Sequence, residues 1–113
     1  MRILNAANLH NMEPAMPYLV LLTDKPNQLE LRTKTRPAHL EYLDANKHMI
    51  LAAGALLEDD GTGGTGSLYI LDTDERKEAE AFLKGDPFDQ VGLFGEVKIS
   101  RWRKGFFDKQ RMV

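Results

Sequence analysis

The sequence predicts an α+β domain with the element order β-α-β-β-α-β, the ferredoxin-like sandwich in which two helices cover one face of a four-stranded sheet. Four short segments rich in strand formers begin near residues 17, 50, 66 and 95. One helical pattern lies between the first two segments and a second lies between the last two. The length of 113 residues fits a single domain.

The four strand segments differ in their flanks. PYLVLL (17–22) is apolar and is followed by the turn-forming TDKPN, and ILAAGALLE (50–58) is followed by the polar loop DDGTGG. GSLYILDT (66–73) is the third segment, and GEVKISRW (95–102) shows the alternation of a strand. We therefore predict four strands in these positions.

The first helical pattern starts at LELRTKT and extends to about Met49. Pro37 lies inside it, removes a backbone donor and disfavours helical geometry at Arg36. We expect the helix to break or kink there, so that Pro37 opens the turn that carries His39.

The second helical pattern is DERKEAEAFLKG (74–85), for which we predict Asp74 as the N-cap and Gly85 as the end. DPF follows directly, and in it Asp86 can cap a short helical turn that has Pro87 at its first position. Alternatively, Asp86 can orient a histidine. The spacing leaves both interpretations open.

Both faces of the predicted strands are apolar. In the first strand Tyr18, Val20 and Leu22 alternate with Leu19 and Leu21, whereas a sheet with one wet face should alternate apolar with polar residues. Two helices can cover only one face, and a bare apolar face of this size would promote association. We therefore expect a face-to-face homodimer whose two sheets enclose a dimeric α/β barrel.

Charge and composition exclude several functional classes. The 15 basic and 17 acidic residues are mixed along the chain, so the sequence lacks the basic stripe expected for nucleic acid or an anionic membrane. Cysteine is absent, which excludes disulfides and thiolate metal sites. No stretch approaches the roughly 20 apolar residues of a membrane span. We expect a cytoplasmic protein in which residues 1–15 are a disordered leader or precede the true start at Met16.

GTGGTG (61–66) matches the G-x-G-x-x-G of dinucleotide-binding folds, in which the glycines open a helix that holds the pyrophosphate. Here a strand follows the glycines, and Asp59 and Asp60 precede them, where they would repel phosphate. We interpret this segment as a flexible loop between two antiparallel strands.

His39 and His48 are nine residues apart, which places them on opposite sides of a helix, so we predict that they share no metal. His48 follows Asp44 by four residues and is interpreted as half of a solvated pair. His39 lies at the border of the buried face near Arg36. Periodicity alone favours a packed, hydrogen-bonded His39 over a catalytic one.

The chain resembles the YCII-related (YciI-like) family over about residues 16–104, which leaves 105–113 as a tail. The resemblance rests on MPYLVLL, RPAHL (36–40), ILAAGALL, GS at the head of the third strand, and GDPF (85–88). It implies a dimeric α/β barrel of ferredoxin-like subunits, in agreement with the doubly apolar strands. It also implies a pocket with a histidine–aspartate pair, matched here by His39 and Asp86.

The resemblance also extends to Arg36, Gly54 and Ser67, of which Arg36 and Ser67 are candidates to contact an anionic substrate group. Family members with assigned chemistry suggest lyase or dehydrochlorinase action on small cyclic or aromatic compounds. A neutral imidazole held by a carboxylate is a competent general base.

We therefore predict a homodimeric, cofactor-independent enzyme of the lyase or isomerase type that acts on a small molecule. Two alternatives stay open. One is a non-enzymatic small-ligand-binding or regulatory module, and the other is a cofactor-free monooxygenase, a class that also uses dimeric α/β barrels.

Overall fold

The computed structural model describes residues 16–113, and the expectation for residues 1–15 lies outside this part of the chain. The elements are β1 (Tyr18–Asp24), α1 (Leu29–Ala45), a 3-10 turn (Lys47–Met49), β2 (Ile50–Leu56), β3 (Gly66–Leu71), α2 (Arg76–Gly85), α3 (Pro87–Gln90), β4 (Phe94–Arg101), β5 (Phe106–Phe107) and β6 (Gln110–Arg111). None of these helices combines the length and the hydrophobicity needed to cross a bilayer.

The main sheet has four strands in the order β2-β3-β1-β4, and every neighbouring pair is antiparallel. Because β2 and β3 form a hairpin while α1 and α2 make the two longer connections, the predicted order of elements is confirmed. The molecule is an α+β fold with an antiparallel sheet.

The core lies between the helices and one face of the sheet. Tyr18, Val20 and Leu22 of β1 point into it, together with side chains from α2 and from the segment after it. Leu19 and Leu21 point to the opposite face, where they are half-buried. On this face β1 and β3 present apolar side chains, and no helix within residues 16–113 covers them.

The predicted break at Pro37 is wrong, because α1 is a single helix of 17 residues that contains Pro37 in its interior. The proline forfeits one backbone hydrogen bond, at a cost of about 3 kcal/mol. Buried side chains anchor the helix on both sides of it, Arg32 in the preceding turns and His39 in the following turn. This packing holds the helical geometry that local preferences disfavour.

The predicted pairing of Asp44 with His48 is also wrong. Because α1 ends at Ala45, His48 falls in the 3-10 turn and is exposed. The Asp44 carboxylate instead lies 3.4 Å from Nζ of Lys47.

The predicted N-cap at Asp74 is wrong as well, since α2 begins two residues later and has Glu75 at the N-cap position. Thr73 Oγ1 accepts a hydrogen bond from the Glu75 backbone N–H at 3.1 Å and donates one to the Glu78 carboxylate. This side-chain bridge fixes the entry of the helix in place of an aspartate cap. The predicted end at Gly85 is confirmed.

The tail contains a short hairpin that the sequence did not indicate. β5 and β6 pair across Asp108 and Lys109, which have φ angles of 53° and 66°. Two consecutive residues with positive φ are typical of the type I′ turn that joins tight hairpins.

Candidate active site

A cavity of about 230 Å³ opens between α1, β2 and β3. Its walls combine apolar side chains, among them Leu40, Leu43 and Phe88, with four polar ones. The polar set consists of Arg32, Arg36, His39 and Ser67. A small apolar cavity with a few convergent polar groups is the usual form of a small-molecule site.

His39 and Asp86 meet at the wall of this cavity although 47 residues separate them in the sequence. His39 Nδ1 lies 2.8 Å from Asp86 Oδ1, and both side chains are buried. Because a carboxylate can only accept, Nδ1 carries the proton and donates it. In the neutral imidazole with this tautomer, Nε2 has the lone pair that can accept a proton.

Asp86 also caps α3. Its Oδ1 accepts the Phe88 backbone N–H at 3.0 Å, and Pro87 occupies the first helical position, as predicted. The capping interpretation is therefore confirmed, and the same carboxylate also contacts His39. The cap fixes the carboxylate next to the helix that carries His39.

The second oxygen of Asp86 accepts a hydrogen bond from the Tyr69 hydroxyl. Burial, reinforced by the negative charge of Asp86, raises the pKa of Tyr69 well above its usual range. The phenol therefore keeps its proton and is a permanent donor to Asp86. The two oxygens of this carboxylate accept three donors in all, which an ionised carboxylate can do.

Aromatic packing fixes the plane of the imidazole. The Phe88 ring stacks on His39 with 3.9 Å between centroids and 14° between planes. The Arg32 guanidinium carbon lies 4.8 Å from the centroid of the same Phe88 ring. Because Phe88 immediately follows Pro87 in α3, the short helix supplies both the stacking partner and the carboxylate.

Arg32 is a site residue that the sequence analysis did not single out. It is 5% exposed, and its Nη2 donates to Ser67 Oγ at 2.6 Å and to the Gly66 carbonyl oxygen at 2.5 Å. Residues 32, 36 and 39 are spaced by four and three positions, so one helix face carries all three. This polar stripe is the sequence signal that could have identified Arg32. In the structure, Arg32 and His39 are the buried side chains of α1.

Asp24 pairs with Arg32 at the end of β1, with 3.5 Å between its Oδ2 and Arg32 Nε. Neither carboxylate oxygen has a hydrogen-bond partner among residues 16–113. Burial raises the pKa of Asp24, and the nearby guanidinium of Arg32 only partly offsets this. The ion pair therefore holds Arg32 in place at some cost in desolvation.

The other residues implied by the resemblance have different surroundings. Ser67 is 1% exposed and already accepts hydrogen bonds from Arg32. Arg36 is exposed and lies at the cavity wall, where its charge faces solvent. Gly54 also lines the cavity, but a Cβ there would meet nothing within 4 Å, so no steric reason for glycine is visible.

The glycine-rich segment joins the antiparallel strands β2 and β3, as predicted. The structure also shows why Gly64 is a glycine. A Cβ at this position would lie 2.7 Å from Arg32 Nε and 2.8 Å from Arg32 Cδ. The loop thus closes directly over the buried guanidinium of the site.

Across residues 16–113, histidine, aspartate and glutamate side chains form no group of three or more that could hold a metal ion. The polar groups of the cavity are instead two guanidinium groups, a hydroxyl and an imidazole. This set is suited to binding an oxygen-rich or anionic organic molecule.

The YCII-related domain model matches residues 16–103 of the chain. Protein YciI of Escherichia coli O6:H1 is 32% identical over 98 residues, which cover 80% of this chain and 100% of that protein. An uncharacterized protein of Haemophilus influenzae is 29% identical over 98 residues, with the same two coverages of 80% and 100%.

A similar solved structure is that of 5-chloro-2-hydroxyhydroquinone dehydrochlorinase from Burkholderia phenoliruptrix, in complex with 2,5-dihydroxybenzoquinone. It is 33% identical to this chain with a TM-score of 0.72, over 78% of this chain and 94% of that chain. Sequence and fold agree along almost the whole domain, and the chain belongs to the YCII-related domain family.

Proposed function

We propose that this protein is an enzyme of the lyase or isomerase type that moves a proton on a small organic molecule. The observation that carries the proposal is the 2.8 Å contact between His39 Nδ1 and Asp86 Oδ1 at the wall of a cavity. A base held by a buried carboxylate beside a ligand-sized cavity has the components of general acid–base catalysis.

In this proposal His39 Nε2 takes a proton from the substrate. Asp86 holds the imidazole in the required tautomer and stabilises the imidazolium that forms. Phe88 limits rotation of the ring by stacking on it. Because proton transfer changes no oxidation state, the reaction needs no redox cofactor.

Arg36 and Ser67 would bind an anionic or oxygen-bearing group of the substrate. Ser67 accepts hydrogen bonds from Arg32, so its own proton can be directed to another acceptor. The apolar walls suit a single small ring. The similar dehydrochlorinase, which was solved with 2,5-dihydroxybenzoquinone, supports a small oxygenated ring as the substrate class.

The proposal includes a homodimer. Leu19 and Leu21 of β1 share the helix-free sheet face with Leu68 and Ile70 of β3, because the register pairs Leu19 with Ile70 and Leu21 with Leu68. All four side chains are half-buried in the single chain. Burying such a face against a second copy would remove apolar area from water.

The test is a thermal-shift screen of small oxygenated cyclic compounds, followed by mass spectrometry of each compound that binds. Conversion without incorporation of an oxygen atom from O₂ supports the proposal. Recovery of every bound compound unchanged would instead indicate a binding module, and incorporation of oxygen would indicate a monooxygenase.

Any turnover is then compared between the wild type and His39→Gln. We expect a loss of about 10²- to 10⁴-fold, the usual effect of removing a general base. His48→Gln is the matched control, because His48 is the exposed histidine that follows the same helix. Equal turnover in the wild type and His39→Gln would exclude His39 as the base.

A further inference from the structure

The hydroxyl of Tyr69 is the one side-chain hydroxyl that contacts Asp86 among residues 16–113. Tyr69 lies in β3, paired with Val20 of β1 on one side and Ala53 of β2 on the other, and is 1% exposed. Its hydroxyl donates to Oδ2, whereas His39 Nδ1 and the Phe88 N–H both contact Oδ1. The carboxylate is therefore held at both oxygens by different elements of the fold.

We infer that Tyr69 is a positioning residue that holds Asp86 against His39 and lowers the affinity of the imidazole for a proton. A donor on a carboxylate shares its negative charge, so the carboxylate attracts the neighbouring imidazolium less strongly. A base with lower proton affinity is deprotonated over a wider pH range. The catalytic role of Tyr69 rests on the proposed function, but its effect on the proton affinity of His39 does not.

The chemistry of Tyr69 supports this role. Burial, reinforced by the charge of Asp86, raises the pKa of the phenol, so the hydroxyl keeps the proton that it donates to Asp86. A buried tyrosine hydroxyl needs a hydrogen-bond partner, and a neutral carbonyl oxygen would satisfy it without any effect on His39. The hydroxyl instead occupies the carboxylate oxygen that His39 does not use.

Other charged and titratable groups also lie near the pair. Arg32 and Arg36 of α1 line the same cavity as His39, and their positive charges oppose protonation of the imidazole. Tyr42 of α1 is a further titratable group, and burial, followed by the charge of Asp86, raises the pKa of its phenol. These three groups remain when Tyr69 is replaced, so a change in the His39 titration reports on the Tyr69 hydroxyl.

The experiment is an NMR titration of the His39 ring signals in the full chain without substrate, for the wild type and Tyr69→Phe. We expect the midpoint to rise by about half a pH unit or more in Tyr69→Phe, because Asp86 then directs its full charge at the imidazole. If turnover is found, the acid limb of the kcat/KM profile should shift in the same direction.

Tyr42→Phe is the matched control. The Tyr42 hydroxyl donates to the Phe82 carbonyl oxygen at 2.7 Å, so this variant also loses a tyrosine hydrogen bond but leaves the contacts of Asp86 intact. Its His39 midpoint should equal that of the wild type. A midpoint in Tyr69→Phe that is unchanged, lowered or equal to that of Tyr42→Phe would overturn the inference.

A second measurement applies if Tyr69→Phe does not fold. Replacing the three tyrosines of the chain with 3-fluorotyrosine makes each phenol a stronger donor, so the His39 midpoint should fall. A midpoint that stays constant or rises would overturn the inference. Because neither titration uses a substrate, failure here is distinguishable from failure of the proposed enzymatic activity.

Discussion

The contact between His39 and Asp86 predicts how substitutions of the two residues should combine. Asp86 accepts three hydrogen bonds, from His39 Nδ1, the Phe88 N–H and the Tyr69 hydroxyl. In Asp86→Asn the amide oxygen can occupy the Oδ1 position and keep the hydrogen bonds from His39 and from the Phe88 N–H. The new NH₂ group then faces Tyr69, whose hydroxyl can rotate to accept.

The geometry can thus survive while the charge is lost. Hydrogen bonds to charged groups contribute about 1.5–3 kcal/mol and neutral ones about 0.5–1.5 kcal/mol, so each bond loses roughly 1 kcal/mol. Three weakened bonds place the expected destabilisation of Asp86→Asn at about 1–3 kcal/mol. His39→Gln removes one of the three donors, and its loss should be about 1–2 kcal/mol.

Urea unfolding of the wild type, both single variants and the double variant measures these values. The two losses should not add, because the hydrogen bond that Asp86→Asn weakens is the one that His39→Gln removes. Turnover should behave in the same way, since an orienting carboxylate has no function without its base. Asp44→Asn and His48→Gln are controls at exposed positions and should leave both measurements unchanged.

Additive stability losses, or turnover losses that multiply in the double variant, would mean that His39 and Asp86 act independently. That result would refute the dyad. A His39→Gln variant that is destabilised yet turns over normally would instead show that His39 is a packed core residue.

Three further predictions follow from single residues. Leu21→Asp should give a folded monomer in light scattering, because Leu21 points to the helix-free face. Val20→Asp should prevent folding, because Val20 is fully buried beneath the helices. An unchanged dimer in both variants would refute the dimeric barrel. Gly64→Ala should lower the free energy of unfolding by about 1–3 kcal/mol, because its methyl group would lie 2.7 Å from a buried guanidinium nitrogen. Gly105→Ala, where a Cβ meets nothing, is the control. Burial raises the pKa of Asp24 in the folded state above its unfolded-state pKa of about 4. The contribution of Asp24 to stability should therefore fall as the pH rises from the unfolded-state pKa to the folded-state pKa. Urea unfolding at a series of pH values should show this fall in the wild type and not in Asp24→Asn.

The order of strands and helices could be predicted from the sequence because it depends on local periodicity. The apolar segments near residues 17, 50, 66 and 95 all form strands within two residues of the predicted bounds. Asp86 and Pro87 form the predicted cap because N-capping involves only neighbouring backbone groups. Local rules failed at Pro37 and Asp74, where packing and a competing side-chain bridge determine the helix.

The candidate site could be predicted only in part. RPAHL and GDPF indicated His39 and Asp86 through resemblance, whereas periodicity alone favoured a packed His39. Arg32 was missed although it shares a helix face with His39, since an arginine in a helix is most often a solvated residue. Tyr69 lies in the strand segment GSLYILDT, and nothing in that pattern indicates its contact with Asp86.

The sequence by itself determined the element order, the doubly apolar strands, the α3 cap and the family. Only the tertiary structure decided which buried polar groups meet. Asp86 reaches His39 across 47 residues, and Arg32 reaches Ser67 across 35. Such contacts depend on how α1 and α3 pack on the sheet, and no spacing within one element specifies that arrangement. The physical reason is that secondary structure arises mainly from short-range preferences, whereas a buried polar group needs a partner that only the folded chain supplies.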